Sequence, residues 1–230
     1  APDSTLCDAS QTCTTSGICV TMMSDTGPPP ADTGADTVSP TDAGPAYPCP
    51  GIVDRVFGAN RYETAAALAR ITRPSAATVV VARGDGGMMP DGSLAPLSSD
   101  AIAGTVLAAN LGAPLLLVAQ DSLPAPTRTA LMELSPTRVI LIGGTAAITS
   151  TVESAISALG ISTSRIAGAT RYDTAAQIAR MVGASSGSAI VSNGENVHLV
   201  DALVGAAAAA ANGQPLLYGK KRDKGIRMKP

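Results

Sequence analysis

Aromatic residues are scarce in this chain of 230 residues: they make up 2% of it, and tryptophan is absent. Any core must therefore be aliphatic, which suits closely packed helices and parallel strands. No apolar run approaches about 18 residues, so the sequence predicts no membrane-spanning helix. His198 is the single histidine, and the four cysteines all lie within the first 49 residues. We therefore predict neither a metal cluster nor a cofactor.

Lysine is also absent from residues 1–219, which carry 10 arginines against 17 acidic residues. Residues 220–230 then carry six basic residues against one acid. A basic end of this kind can bind nucleic acid or anionic lipid. The interpretation that we favour is a disordered end without such a partner, so the sequence predicts no nucleic-acid binding.

The cysteines form a polar cluster near the N-terminus: Cys7, Cys13, Cys19 and Cys49. An even number of cysteines in a loop-like segment indicates two disulfides, with three possible connectivities. A zinc site is the alternative, but the six-residue spacings lack the Cys-x-x-Cys pairs that favour zinc. Because disulfides form in exported proteins, we expect a secreted chain with a Cys-rich stub at residues 1–20. Residues 21–50 are rich in Pro, Thr and Asp and are expected to form a linker.

The rest of the chain repeats one segment. Residues 55–70 (RVFGANRYETAAALAR) return as residues 165–180 (RIAGATRYDTAAQIAR), with 10 of 16 positions identical. The match continues in three further pairs of segments: 79–85 with 189–195, 100–104 with 201–205, and 114–116 with 215–217. A repeat of about 100 residues is a whole module rather than a solenoid turn. The expected divisions are a first module at 51–163, a truncated second module at 164–218 and a basic tail at 219–230.

Short aliphatic runs alternate with amphipathic, alanine-rich segments in both copies. The predicted strands are residues 78–83, 114–119, 138–142, 165–167, 189–192 and 215–218. The predicted helices are residues 61–71, 100–111, 127–134, 149–159, 171–182 and 201–211. This alternation indicates parallel α/β modules with right-handed crossovers. The repeated segment is expected to form a corner, where residues 55–57 end a strand and Asn60 or Thr170 caps the next helix.

Both copies also share an order of motifs: Arg-x-x-Gly-x-x-Arg-Tyr-x-Thr-Ala, a glycine loop after the next strand, Asp-Ala-Leu/Ile-x-Gly and Pro-Leu-Leu. This order resembles the type 2 cell wall-binding repeat family over about residues 52–218. The resemblance implies exported bacterial surface proteins with Rossmann- or toprim-like α/β modules in tandem. Such modules hold a protein non-covalently to anionic polymers of the cell wall. They usually occur as three copies beside a domain that carries the activity, whereas this chain has one full and one shortened copy.

Anionic glycopolymers require cations and oriented N–H groups. The candidate ligand-binding residues are Arg55, Arg61, Arg165, Arg171, Tyr62, Tyr172, Gly143 and Gly144. The arginines recur beside predicted helix N-termini, which attract anions, and a guanidinium binds phosphate or carboxylate bidentately. The glycine pair follows an apolar strand and is able to cradle a phosphate. The alternatives are structural: the arginines pair with acids between modules, and the tyrosines pack a helix against the sheet.

We therefore predict a non-catalytic anchoring module that binds anionic cell-wall or envelope polysaccharide at the cell surface. An envelope hydrolase such as an amidase is one alternative, although the sequence offers no zinc cluster and no catalytic triad. A structural or adhesive scaffold is the other. The truncation is expected to leave residues 215–218 as an uncovered apolar edge strand that allows self-association. Asp100 and Asp201 are expected to cap the helices that they open.

Overall fold

The computed structural model describes residues 11–13, 19–21, 56–84, 98–183, 187–195, 199–222 and 225–227. Contacts divide the chain into two units, Ala1–Arg55 and Val56–Pro230. In the first unit, β1 (Gln11–Cys13) and β2 (Cys19–Thr21) pair antiparallel, with Cys13 opposite Cys19. Cys7 and Cys49, which are both expected to form disulfides, lie outside the described residues, as does Arg55.

The second unit alternates strands and helices, which confirms the predicted α/β class. Copy 1 contains α1 (Arg61–Thr72), β3 (Thr78–Arg83), α2 (Ser99–Leu111), β4 (Leu115–Val118), α3 (Ala125–Leu134), β5 (Arg138–Ile142), α4 (Ser150–Ser157) and β6 (Ser162–Ile166). Copy 2 contains α5 (Arg171–Val182), β7 (Ile190–Asn193), α6 (Leu199–Ala211), β8 (Leu216–Arg222) and β9 (Gly225–Arg227). Residues 55–57 were expected to end a strand. This prediction is wrong for Val56 and Phe57, which belong to no strand.

Copy 1 forms a parallel sheet in the order β4-β3-β5-β6. Helices cover both faces, which explains why its central strands are apolar along their length. Val79 and Val81 pack on the face of α1, α3 and α4, whereas Val80 and Ala82 pack on the face of α2. The chain leaves β3 towards β4 and leaves β5 towards β6. These connections diverge at the carboxyl ends of β3 and β5 and open a crevice there.

Copy 2 retains the first half of this scheme. β7 and β8 pair parallel, as β3 and β4 do, and β8 continues into an antiparallel pairing with β9. The expectation that residues 215–218 are uncovered is wrong for their side chains, because Leu216 and Tyr218 are buried. β9 pairs with residues 220–222 of β8, so within the described residues of copy 2 both β7 and residues 216–219 of β8 have an edge without a partner strand. The expected disordered tail also differs from the structure, because residues 219–222 and 225–227 belong to β8 and β9.

The two copies share one hydrophobic core. α2 packs against both α5 and α6, and its buried side chains join those of copy 2 in a single cluster. The largest members from copy 2 are Ile178, Leu199, Leu216 and Tyr218. Tyr218 adds a polar contact across the junction, because its hydroxyl donates to the Ser99 carbonyl at 2.7 Å. The second copy thus completes the packing of the first.

The junction between the copies covers one surface of α2, and the corresponding surface of α6 is exposed. The repeat aligns Ala103 on α2 with Val204 on α6. Ala103 is 1% exposed in the shared core, whereas Val204 is 66% exposed. Leu203 beside it is also exposed, although its counterpart Ile102 is buried. α6 therefore presents to solvent an apolar surface whose counterpart on α2 is covered by the following copy.

Candidate functional site

The repeated segment forms a helix-start corner in both copies. Asn60 accepts the backbone amides of Tyr62 and Glu63 at 3.0 Å, and Thr170 forms a capping box with Asp173. These contacts confirm the predicted caps. The threonine of the Arg-Tyr-x-Thr-Ala motif accepts the amide of the corner glycine in each copy. Those glycines admit no side chain, since a Cβ atom would overlap the third residue of the helix.

Each motif arginine binds the glycine loop that follows the next strand. Arg61 donates to the Gly84 carbonyl at 2.6 Å, and Arg171 donates to the Gly194 carbonyl at 3.0 Å. The tyrosine that follows each arginine lies against the same glycine, with a ring carbon 3.0 Å from where a Cβ atom would be. The Arg-Tyr pair therefore ties the start of a helix to the end of a strand, and this structural role is common to both copies.

A cavity of about 260 Å³ lies where copy 2 meets the crevice of copy 1. Copy 1 supplies the end of β3, the start of α2 and the loop after β5, and copy 2 supplies the start of α5. The position is the carboxyl edge of the sheet where the connections diverge, which is where open α/β sheets bind ligands. The polar side chains of the lining include Arg83, Ser98, Ser99, Asp100, Thr170 and Arg171.

Positive charge and helix N-termini converge on this cavity. Arg83 and Arg171 are among the lining residues, and both α2 and α5 begin at the wall of the cavity. The first amides of a helix attract anions, and arginine binds phosphate or carboxylate in a bidentate manner. Serine and threonine side chains line the same walls. The arrangement therefore suits a ligand that combines an anionic group with hydroxyl groups.

Asp100 places a carboxylate in the same cavity. Burial raises the pKa of Asp100, and the positive charge of Arg171 opposes that shift. Burial also raises the pKa of Tyr218, and the nearby charge of Asp100 adds to the effect. The expectation that Asp100 caps α2 is wrong, because the N-cap is Ser98, whose side chain accepts the Ala101 amide at 3.3 Å. Asp100 instead belongs to the first turn and faces the cavity.

The loop after β5 is held by a charged contact. Arg165 donates to the Gly143 carbonyl at 2.8 Å and pairs with Glu153 at 2.7 Å. Gly143 has a φ of 107°, a conformation that favours glycine, and its Cα packs against the Asp100 carboxylate. Gly144 lines the cavity. Several sequence candidates lie outside the lining: Arg61, Tyr62, Arg165 and Tyr172.

Sequence reasoning thus selected Arg171 and Gly144, which the structure brings together, but it overlooked Arg83. One signal was available for Arg83, because it ends an otherwise apolar strand beside the point where the connections diverge. The described residues contain no group of three or more His, Cys, Asp or Glu side chains able to hold a metal ion. No helix in the described part of the chain has the length and apolar character needed to cross a membrane.

Comparison with known proteins identifies two relatives from one bacterium. The chain is 38% identical over 185 residues to N-acetylmuramoyl-L-alanine amidase LytC of Bacillus subtilis (strain 168). It is 32% identical over 170 residues to the amidase enhancer of the same organism. These matches cover 76% and 74% of this chain but 34% and 22% of the relatives. The chain therefore spans about a third or less of the relatives that it matches.

Two solved structures share the fold, Cwp6 and Cwp8 from Clostridium difficile. Their TM-scores are 0.60 and 0.61, at 27% and 25% sequence identity. The similarity covers 71% of this chain in both cases, and 24% and 27% of the respective structures. A family model described as cell wall binding domain 2 (CWB2) matches residues 55–153 and 165–229, one match for each copy of the repeat. The chain belongs to the cell wall binding domain 2 family.

Proposed function

We propose that the two copies form a non-catalytic anchoring module, which binds an anionic polysaccharide of the bacterial cell wall or envelope in the cavity between them. One observation carries the proposal: the cavity is built jointly. Arg83 comes from copy 1 and Arg171 from copy 2, and each copy contributes one helix N-terminus. Membership of a cell wall binding family supports a wall polymer as the source of the anion.

An anionic group suits this cavity better than a neutral sugar alone. Hydrogen bonds to charged groups contribute about 1.5–3 kcal/mol each, roughly twice the contribution of neutral ones. A wall polymer presents its charged group many times, so that modest affinity at one site still retains the protein on the wall. Phosphate and carboxylate groups both match the geometry of a guanidinium, and either chemistry fits this proposal.

The proposal assigns anchoring, rather than hydrolysis, to this chain. The chain covers about a third or less of the amidase and of the amidase enhancer, and the CWB2 copies account for most of its length. An anchoring module works outside the membrane, so we propose a secreted, surface-bound protein, in line with the predicted disulfides. A zymogram of the purified chain on cell-wall substrate should show no lytic band. A lytic band would support the hydrolase alternative.

The anion requirement is tested by sedimentation with purified cell walls. The chain should pellet with intact walls and remain in the supernatant after the anionic polymers have been stripped from the peptidoglycan. Added salt should weaken the binding, because the contacts are largely electrostatic. Binding that survives the stripping would contradict the proposed ligand class.

The location of the site is tested by a matched pair of variants, Arg171→Ala and Arg61→Ala. Each variant loses the same hydrogen bond to a glycine carbonyl, but of the two residues Arg171 is the one that lines the cavity. Arg171→Ala should weaken wall binding roughly tenfold or more, the loss expected for one charge-assisted contact. Equal losses in the two variants would contradict the cavity and would favour ligand contacts by every repeated arginine.

We also propose self-association as a second property of copy 2. The edge of β7 has no partner strand among the described residues, and α6 exposes Val200, Leu203 and Val204. Unpaired strand edges and apolar patches are typical sites of association. Light scattering after size exclusion should show a dimer that dissociates when Leu203 and Val204 are replaced by serine. A strict monomer at high concentration would contradict this second proposal.

A further inference from the structure

Asp100 is an unexpected residue in a cavity that suits anions. Its carboxylate lies beside Gly143, and Arg171 of α5 lines the same cavity and has a positive charge that lowers the pKa of Asp100. Arg83 at the end of β3 lines the same cavity. The hydroxyl of Tyr218 on β8 lies close enough for the charge of Asp100 to affect it. Among the residues that the structure describes, these are the charged and titratable groups around Asp100.

We propose that Asp100 sets the affinity of the cavity by competing with the bound anion for Arg171, so that binding tightens when Asp100 loses its charge. This inference rests on the proposed function, because it concerns the same cavity. With Asp100 ionised, an incoming anion meets a like charge and a guanidinium that already has a partner. With Asp100 neutral, the like-charge repulsion disappears, and the positive charge of Arg171 is no longer partly offset by Asp100.

The direction of the pH dependence follows from linkage. Burial holds the pKa of Asp100 above its usual value of 3.8, and Arg171 opposes that shift. An anion bound beside the carboxylate disfavours its charged form and raises the pKa further. Ligand binding is therefore accompanied by proton uptake, and affinity increases as the pH falls towards the pKa that Asp100 has in the complex. A difference of one pKa unit between free and bound states corresponds to about tenfold in affinity.

Copy 2 supplies a matched control. Asp201 aligns with Asp100, and it lies in the first turn of α6 as Asp100 lies in the first turn of α2. Asp201 is exposed, and it is not among the residues that line the cavity. Asp201→Asn therefore removes the same formal charge from an equivalent helix position without changing the site.

The test measures binding of a fluorescent poly(glycerol phosphate) by anisotropy at constant ionic strength, between about pH 7.5 and pH 4.5. Its phosphodiesters stay ionised over this range, so the ligand does not titrate. The wild-type chain and Asp201→Asn should bind roughly three- to tenfold more tightly at the acidic end. Asp100→Asn should bind at pH 7.5 as tightly as the wild type does at pH 4.5, with little further change.

The outcomes separate the two proposals. Uncharged dextran of the same length is the reference, and a carboxylate polysaccharide is measured in parallel at pH 7.5. If no chain binds either anionic polymer at any pH tested, the proposed function is overturned and this inference with it. Binding by the wild type that is independent of pH would overturn the inference alone. The same result follows if Asp100→Asn keeps the wild-type pH dependence. Asp100→Ser provides a second variant that suits a first helical turn, should the asparagine variant be poorly folded.

Discussion

Ile178 and Leu68 occupy the same position of the repeated helix in very different surroundings. Ile178 is 1% exposed in the core that the two copies share, whereas Leu68 is 45% exposed on α1. Ile178→Ala removes three buried carbon groups, each contributing about 0.8 kcal/mol in transfer free energy, and leaves a cavity. We expect the free energy of unfolding to fall by about 2–5 kcal/mol. Leu68→Ala should change it by about 0.5 kcal/mol or less, because the side chain is half exposed and alanine favours helices.

Urea unfolding followed by circular dichroism measures both effects. A lower midpoint for Ile178→Ala with an unchanged slope would show that the two copies unfold together. A separate early transition in this variant would show that copy 2 detaches first, which also agrees with a shared core. Equal unfolding free energies for the two variants would refute the reasoning, because the burial of Ile178 would then contribute nothing to the junction.

Three further predictions concern the junction, the corner and the first unit. Tyr218→Phe should lower the free energy of unfolding by about 1 kcal/mol, the typical net contribution of one hydrogen bond, as measured by urea titration. Gly168→Ala should lower it by about 1–3 kcal/mol, because the added methyl group overlaps the first turn of α5; an unchanged midpoint would contradict the crowding. Peptide mapping without reductant should find a Cys13–Cys19 disulfide, since directly opposed residues of an antiparallel pair have Cα atoms about 4.5–5.5 Å apart, within disulfide range. The other two cysteines should then form the second bridge, and any other pairing would contradict the register.

The elements of the fold could be predicted from local signals. The bounds of β3, β5 and α5 agree with the prediction to the residue, because an apolar run or a capped helix start marks each of them. The starts of α2 and α6 were predicted one and two residues late, because both helices begin before the motif aspartate that was expected as their first residue. The burial of Leu216 and Tyr218 was not predicted, because it depends on the packing of α5 against β8, a tertiary contact that no local pattern shows.

The site was less predictable, because it depends on contacts between distant segments. Arg61 and Arg171 have nearly identical neighbours in the sequence, and each makes the same bond to a glycine carbonyl. The difference between them arises when the start of α5 closes the crevice of copy 1. No local pattern carries that information, and the repeat favoured all the arginines equally. The repeat did not indicate Arg83 as a candidate, because the corresponding residue of copy 2 is Asn193.

The difference between Arg61 and Arg171 indicates how the number of such sites depends on the number of copies. A cavity of this kind needs the end of a strand and the loop after β5 from one copy, and a capped helix with its arginine from the next. In copy 2 the counterpart of Asp100 is exposed, and no further copy in the described residues closes over it. Under the proposed function, binding sites are therefore formed by junctions rather than by single copies. Retention on a polymer should then rise with the number of junctions, because each added junction binds at the effective concentration that the first one provides.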